Sequence, residues 1–151
     1  MDLTRFKNFA PACLLALLLA GPLASVANAG SALTSVNETG ELKKENSSGT
    51  TIDEKGIGKG TFRCSVVMEM VLSGTLVTAK YTAYLSGGSI SGTATAHIHS
   101  ATKTAALFSG TITLQHGTRS RSGASGTADF SGEINRTSYA MTTHITGKLR
   151  L

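Results

Sequence analysis

The chain has 151 residues, of which 40% are hydrophobic and 15% charged, and its formal net charge is +5. From residue 59 onward, positive charges occur singly at alternating positions, which indicates a solvated outer face and argues against nucleic acid as a partner. Once an N-terminal signal is removed, Cys64 is the single remaining cysteine, so an internal disulfide is excluded and packing must hold the fold.

The first 29 residues have the layout of a secretory signal peptide. Arg5 and Lys7 precede a short apolar run at residues 13–20, and residues 27–29 read Ala-Asn-Ala, a small-x-small cleavage site. The apolar run is shorter than the about 20 residues that a membrane-spanning helix needs. We therefore expect a signal peptide at 1–29, a secreted or periplasmic protein, and no membrane span after signal removal.

Residues 30–58 are polar and contain no aromatic side chain. Five acidic side chains stand against three basic ones, and Ser, Thr and Gly fill much of the rest. Such a segment buries little apolar area, so it predicts a flexible polar N-terminal arm. The acidic residues in it are Glu38, Glu41, Glu45, Asp53 and Glu54.

Residues 59–151 alternate between apolar and polar side chains with a period of two, which is typical of β-strands with one buried face. Exposed edges on strands of this length would invite aggregation, and closing the sheet removes them. The fold class predicted is all-β: a single closed or nearly closed antiparallel up-and-down β-barrel of about six to eight strands at 59–151. The predicted strands are 62–72, 76–85, 90–99, 105–115, 124–134 and 139–151.

The tripeptide Ser-Gly-Thr occurs four times, beginning at Ser73, Ser91, Ser109 and Ser125. In the last three copies the glycine lies on the apolar phase of a predicted strand. Glycine within a strand marks a bend, a bulge or a close approach of another backbone. Repeated strand after strand, it predicts a device for curving the sheet tightly enough to close.

The stretch 116–149, HGTRSRSGASGTADFSGEINRTSYAMTTHITGKL, resembles the glycine-punctuated strands of allene oxide cyclase-like and dirigent-like β-barrels. Arg119 stands where that pattern usually has glycine, and Arg121 where it usually has an aromatic residue. The resemblance implies a closed antiparallel barrel with a central cavity, and it transfers no catalytic residue. The matching positions are Gly117, Thr118, Ala124, Gly126 and Gly132.

His97 and His99 are the one pair of side chains with metal-ligand character. Residues two apart on a strand point the same way, so both imidazoles could reach one metal ion if a third ligand, such as His144, joined them. The phrase Ala-His-Ile-His at 96–99 also resembles one found in CHRD domains, which are secreted β proteins. The alternative is a pair of solvated histidines on a Ser/Thr-rich face.

The apolar phase of the strands would line the barrel interior, where glycines and alanines leave space for a small apolar ligand. We therefore expect an exported, non-enzymatic barrel that binds such a ligand. Three alternatives stay open: a cyclase- or isomerase-type enzyme, which an inward polar residue would support; a CHRD-like metal-binding domain; and a small outer-membrane barrel with its apolar face toward lipid. The predicted cavity residues are Phe62, Met68, Met70, Tyr81, Phe108, Phe130, Tyr139 and Met141.

Overall fold

A computed structural model describes residues 32–151, so the predicted signal peptide lies outside the described residues. This part of the chain forms eight antiparallel strands and a single turn of 3-10 helix at Arg119–Arg121. The strands are β1 (Leu33–Ser48), β2 (Thr51–Gly60), β3 (Cys64–Ser73), β4 (Leu76–Leu85), β5 (Gly88–Ala101), β6 (Ala105–Gly117), β7 (Ser125–Asn135) and β8 (Met141–Arg150).

Each strand pairs with its neighbours in sequence, and β1 pairs with β8, so the sheet closes on itself. The predicted fold class, a closed antiparallel up-and-down barrel, is confirmed. We call the end with the β2–β3 and β6–β7 connections and Leu151 the upper end. The end with the β1–β2 and β7–β8 connections is the lower end.

The prediction of a flexible arm at residues 30–58 is wrong for the residues described, because 33–60 form β1 and β2. Most polar side chains of these strands face outward, while Val36, Leu42 and Ile52 are buried on the inner face. Glu38 and Glu54 are the polar exceptions that face inward. A few inward apolar side chains are enough to hold these two strands in the barrel, because each strand is hydrogen-bonded along both of its edges. β1 pairs with β2 and β8, and β2 pairs with β1 and β3. The predicted domain boundary at 58/59 therefore cuts through β2 and is also wrong.

The apolar phase of the strands points into the barrel, as predicted from their alternation. Phe108 and Met141 are each 5% exposed, and the Phe108 and Phe130 rings pack with centroids 5.7 Å apart at 56°. The outer face carries mainly Ser, Thr and charged side chains. A bilayer-spanning barrel needs the opposite arrangement, with an apolar outer band, so the polar outer face argues against the outer-membrane alternative. Within residues 32–151, no helix is long and apolar enough to cross a membrane.

Two of the Ser-Gly-Thr glycines lie where neighbouring strands come into very close contact. A Cβ atom at Gly92 would collide with the Thr113 carbonyl oxygen, and one at Gly110 with the Thr95 carbonyl oxygen. The obstacles are backbone atoms, which cannot move aside as a flexible side chain can. Gly92 and Gly110 thus permit the close approach of β5 and β6 that a curved sheet requires, in keeping with the prediction from the repeat. Gly74, in the first copy of the tripeptide, is instead a turn residue with a φ of 63°.

Candidate functional site

The barrel interior contains an apolar cavity of about 130 Å³ that extends toward the upper end. Inward-facing residues of all eight strands form its walls. Phe62, just before β3, and Leu151, just after β8, complete them. Phe62, Leu85 and Leu151, near the upper end, are only half-buried. Further wall residues are Val36, Leu42, Val66, Ala83, Ile90, Ala94, Ile112, Ile145 and Leu149.

A second apolar cavity, of about 40 Å³, lies toward the lower end of the barrel. Met68, Ala94 and Phe130 line both cavities and therefore separate them. The lower cavity has room for little more than one water molecule, and its walls offer no polar side chain to hold one. The upper cavity, which we call the ligand cavity, is thus the better candidate for a binding site.

Seven of the eight residues predicted to line a cavity line one or both of the two cavities. Phe62, Met68, Tyr81 and Phe130 line the ligand cavity. The lower cavity is lined by Met68, Met70, Phe108, Phe130 and Met141.

Tyr139 lines neither cavity, which departs from its predicted place. It precedes β8 rather than belonging to it, with a φ of 58°, in the β7–β8 connection at the lower end. There the Lys44 ammonium lies 4.5 Å from the centroid of its ring. Strand β8 begins at Met141, two residues later than the alternation predicts. Tyr139 therefore lies in the connection at the lower end of the barrel and not on the inner face of β8.

Glu38 places a carboxyl group in the wall of the ligand cavity. Its Oε1 accepts a 2.6 Å hydrogen bond from the backbone N–H of Phe62, while its Oε2 is buried without a hydrogen-bond partner. Burial raises the pKa of Glu38 above its usual value, and the Phe62 hydrogen bond partly opposes that rise. The free oxygen can accept a hydrogen bond from a molecule bound in the cavity.

Glu54 is a second inward carboxyl group, on β2, and it is 0% exposed. Its position in the sheet is directly opposite Met68, one of the three residues that line both cavities. Neither carboxyl oxygen has a hydrogen-bond partner, and burial raises the pKa of Glu54 to about 7. The two carboxyl groups make the interior an acidic as well as an apolar environment.

Two more ionisable side chains face the ligand cavity. Burial raises the pKa of Tyr81 to about 12, so its phenol stays protonated at neutral pH. The pKa of the Cys64 thiol is raised by burial and, to a smaller extent, by the negative charge of Glu38. Cys64 is thus a partly buried, protonated thiol rather than an activated nucleophile.

No protein family, curated protein or solved structure compared with this chain matches it. The chemistry of the site therefore has to be inferred from the arrangement of its own side chains.

The histidine pair does not come together with a third metal ligand. His97 and His99 are both exposed on β5, and the register with β6 shifts beside His99. His97 and His144 occupy one row of the sheet with β6 and β7 between them, which puts their backbones roughly 14 Å apart at the usual strand spacing. Among residues 32–151, no group of three or more His, Cys, Asp or Glu side chains could hold a metal ion.

Glu38 and Glu54 are the residues of the site that sequence reasoning missed, because both fall within the predicted arm. A weak period-two signal was present: Val36, Glu38 and Leu42 share one phase of β1. Ile52 and Glu54 do the same in β2. An acidic residue in an otherwise apolar phase can mark a broken strand, and the pairing with β3 and β8 shows that the strands are intact at both residues.

Proposed function

We propose that this protein is an exported β-barrel that binds a small, mainly apolar ligand in the ligand cavity. The observation that carries the proposal is an apolar cavity of about 130 Å³ with one unpartnered carboxyl oxygen in its wall. Apolar walls with very few placed polar groups are the usual make-up of small-molecule sites. In another protein, a dry apolar cavity of about 150 Å³ binds benzene or xenon, which sets the size of ligand expected here.

Export is part of the proposal and is supported by the signal-peptide layout of residues 1–29. A relationship to allene oxide cyclase-like and dirigent-like barrels is likewise proposed. It is supported by the glycine-punctuated stretch 116–149 and by the closed antiparallel barrel with a cavity. Neither point bears on which ligand is bound.

The experiment that tests ligand binding is NMR titration of the chain from Gly30 with benzene and with xenon. We expect saturable chemical-shift changes at the methyl groups of Val66, Ile90 and Ile112, which line the ligand cavity. Shifts spread over the outer face, or none at all, would overturn the proposal.

Two matched substitutions on β4 sharpen this test. Ala83 lines the ligand cavity and Ala79 lines the lower one, and both are buried on the inner face of the same strand. Ala83→Val fills part of the ligand cavity and should weaken binding by tenfold or more, about 1.4 kcal/mol. Ala79→Val adds the same two methyl groups elsewhere and should leave the affinity nearly unchanged. Equal effects of the two substitutions would place the ligand outside the ligand cavity.

A cyclase- or isomerase-type enzyme is a second candidate, favoured by the carboxyl group that Glu38 projects into the apolar cavity. Burial raises its pKa toward the range in which a carboxyl group can exchange a proton with a bound substrate. The test is deuterium uptake from heavy water by a small enolisable ketone, cyclopentanone. Uptake that exceeds the buffer rate and is lost in Glu38→Gln would support catalysis, and uptake equal to the buffer rate would count against it.

A further inference from the structure

The barrel interior holds two carboxyl groups for which no side chain among residues 32–151 supplies a positive charge. Glu38 Oε2 and both oxygens of Glu54 are buried without a hydrogen-bond partner. The ion pairs among residues 32–151, Lys55–Glu45 and Lys59–Glu41, lie on exposed side chains and use other carboxylates. A buried carboxylate without a partner is costly, so a group that supplies a positive charge or donors is strongly favoured there.

No cationic side chain of the described chain reaches the cavity. Every lysine and arginine among residues 32–151 is exposed except Arg121, which is half-buried. The guanidinium of Arg121 lies 5.8 Å from the centroid of the Phe62 ring, and it forms no ion pair with Glu38. Residues 32–151 therefore supply no positive charge to an ionised Glu38, and a bound cation can supply it.

We propose that the ligand is a small hydrophobic amine, held as its ammonium ion with an N–H group on Glu38 Oε2. This inference rests on the ligand-binding function proposed above and names the chemical class of the ligand. The hydrocarbon part of the amine fills the apolar remainder of the cavity, which is lined by side chains such as Ile90 and Ile112.

The aromatic walls of the cavity fit the same ligand. Phe62, Tyr81 and Phe130 all line it, and the faces of aromatic rings attract cations. A carboxylate ligand would instead meet the charge of Glu38 and would have no cationic side chain inside. A neutral alcohol can donate one hydrogen bond to Oε2 but leaves the negative charge uncompensated. The cavity should accordingly prefer an ammonium ion to either isostere.

Glu54 strengthens this preference without touching the ligand. It lies opposite Met68 on the neighbouring strand and lines neither cavity, and whenever it is ionised it adds to the negative potential of the interior. Glu38 is the group that makes the direct contact. The roles of the two carboxyl groups are therefore separable by substitution.

The test compares three probes of one shape: cyclopentylamine, cyclopentanol and cyclopentanecarboxylate, titrated by NMR at pH 7.5 into the chain from Gly30. We expect cyclopentylamine to bind about tenfold or more tightly than cyclopentanol, as charge-assisted hydrogen bonds exceed neutral ones. Cyclopentanecarboxylate should bind least. In Glu38→Gln the amine should lose its advantage, while the affinity for cyclopentanol should stay within about twofold.

Glu41→Gln is the matched control, because it removes the same charge from the same strand at an exposed position. It should keep the preference for the amine. If Glu38→Gln does not fold, the ranking of the three probes in the wild-type protein decides by itself.

The outcomes separate the two proposals. If cyclopentanol or cyclopentanecarboxylate binds as tightly as the amine, the inference about amines is overturned while ligand binding stands. An amine preference that survives in Glu38→Gln, or is lost equally in Glu41→Gln, also overturns it. If none of the three probes, benzene or xenon binds in the cavity, both proposals fall.

Discussion

At the upper end of the barrel, the backbone N–H of Phe62 donates a 2.6 Å hydrogen bond to Glu38 Oε1 on the neighbouring strand β1. This bond ties the β2–β3 connection to β1 and orients the carboxyl group so that Oε2 is left buried and unpartnered. One contact thus tethers the β2–β3 connection and presents a polar acceptor to the cavity. It joins two segments that the sequence pattern assigned to different parts of the molecule.

The pH dependence of stability tests the burial of Glu54. Its pKa is about 7 in the folded protein against 4.5 for the free side chain, so the folded state favours the protonated form. The contribution of Glu54 to stability is therefore greatest below about pH 4.5 and declines as the pH rises through 7, by about 3 kcal/mol in total. Glu38, whose pKa is also raised, acts in the same direction.

Urea unfolding between pH 4 and pH 8 measures this decline. Glu54→Gln removes the ionisation and should flatten most of the profile, with a gain in stability at pH 8. The control is Glu45→Gln, at an exposed position on β1, which should keep the wild-type slope. A wild-type profile as flat as that of Glu54→Gln would show that the Glu54 carboxyl group is hydrated or paired in solution.

Substitution of Gly110 tests the close approach of β5 and β6. In Gly110→Ala the new methyl group meets the Thr95 carbonyl oxygen, so the two strands must separate locally. We expect a loss of about 1–3 kcal/mol in the free energy of unfolding, measured by urea denaturation. Gly74→Asn is the comparison: this turn glycine has a φ of 63° and no atom near its missing Cβ, and asparagine tolerates that conformation. Equal effects of the two substitutions would contradict a specific role for Gly110.

Arg119 is a position where substitution should stabilise the protein. It has a φ of 54°, exposed to solvent at the start of the 3-10 turn, in a region that costs a residue with a side chain roughly 1–2 kcal/mol. Arg119→Gly should relieve much of that cost, and thermal unfolding should show a higher Tm. Ser122→Gly, in the same loop at a φ of −58°, should lower the Tm because it only adds freedom to the unfolded chain. A fall in Tm for both would contradict the strained backbone at Arg119.

Removal of β1 and β2 tests whether residues 33–60 belong to the barrel. A chain that begins at Thr61 keeps all six strands predicted from the sequence but leaves the edges of β3 and β8 unpaired. We expect it to aggregate or to lose cooperative unfolding, because exposed edges pair with other chains. The chain from Gly30 is the reference and should unfold in one transition. A monomeric, cooperatively folded chain from Thr61 would restore the interpretation of 30–58 as an arm.

Local alternation by itself predicted the strands from residue 62 onward and which of their side chains face inward. It works because a strand places successive side chains on opposite faces, so a residue's phase follows from its neighbours in sequence. Phe62, Met68, Tyr81 and Phe130 lie in the ligand cavity for that reason. The alternation failed at Tyr139, where a turn residue with positive φ precedes the strand.

Only the tertiary structure decided that residues 33–60 complete the barrel and that Glu38 and Glu54 face inward. Their composition is polar, and no local rule shows that β1 would find β8 at the other end of the chain. That pairing depends on the stagger and curvature of the whole closed sheet, which the backbone contacts at Gly92 and Gly110 permit. The acidic character of the cavity, and with it the proposed ligand class, is a property of closure rather than of any single strand.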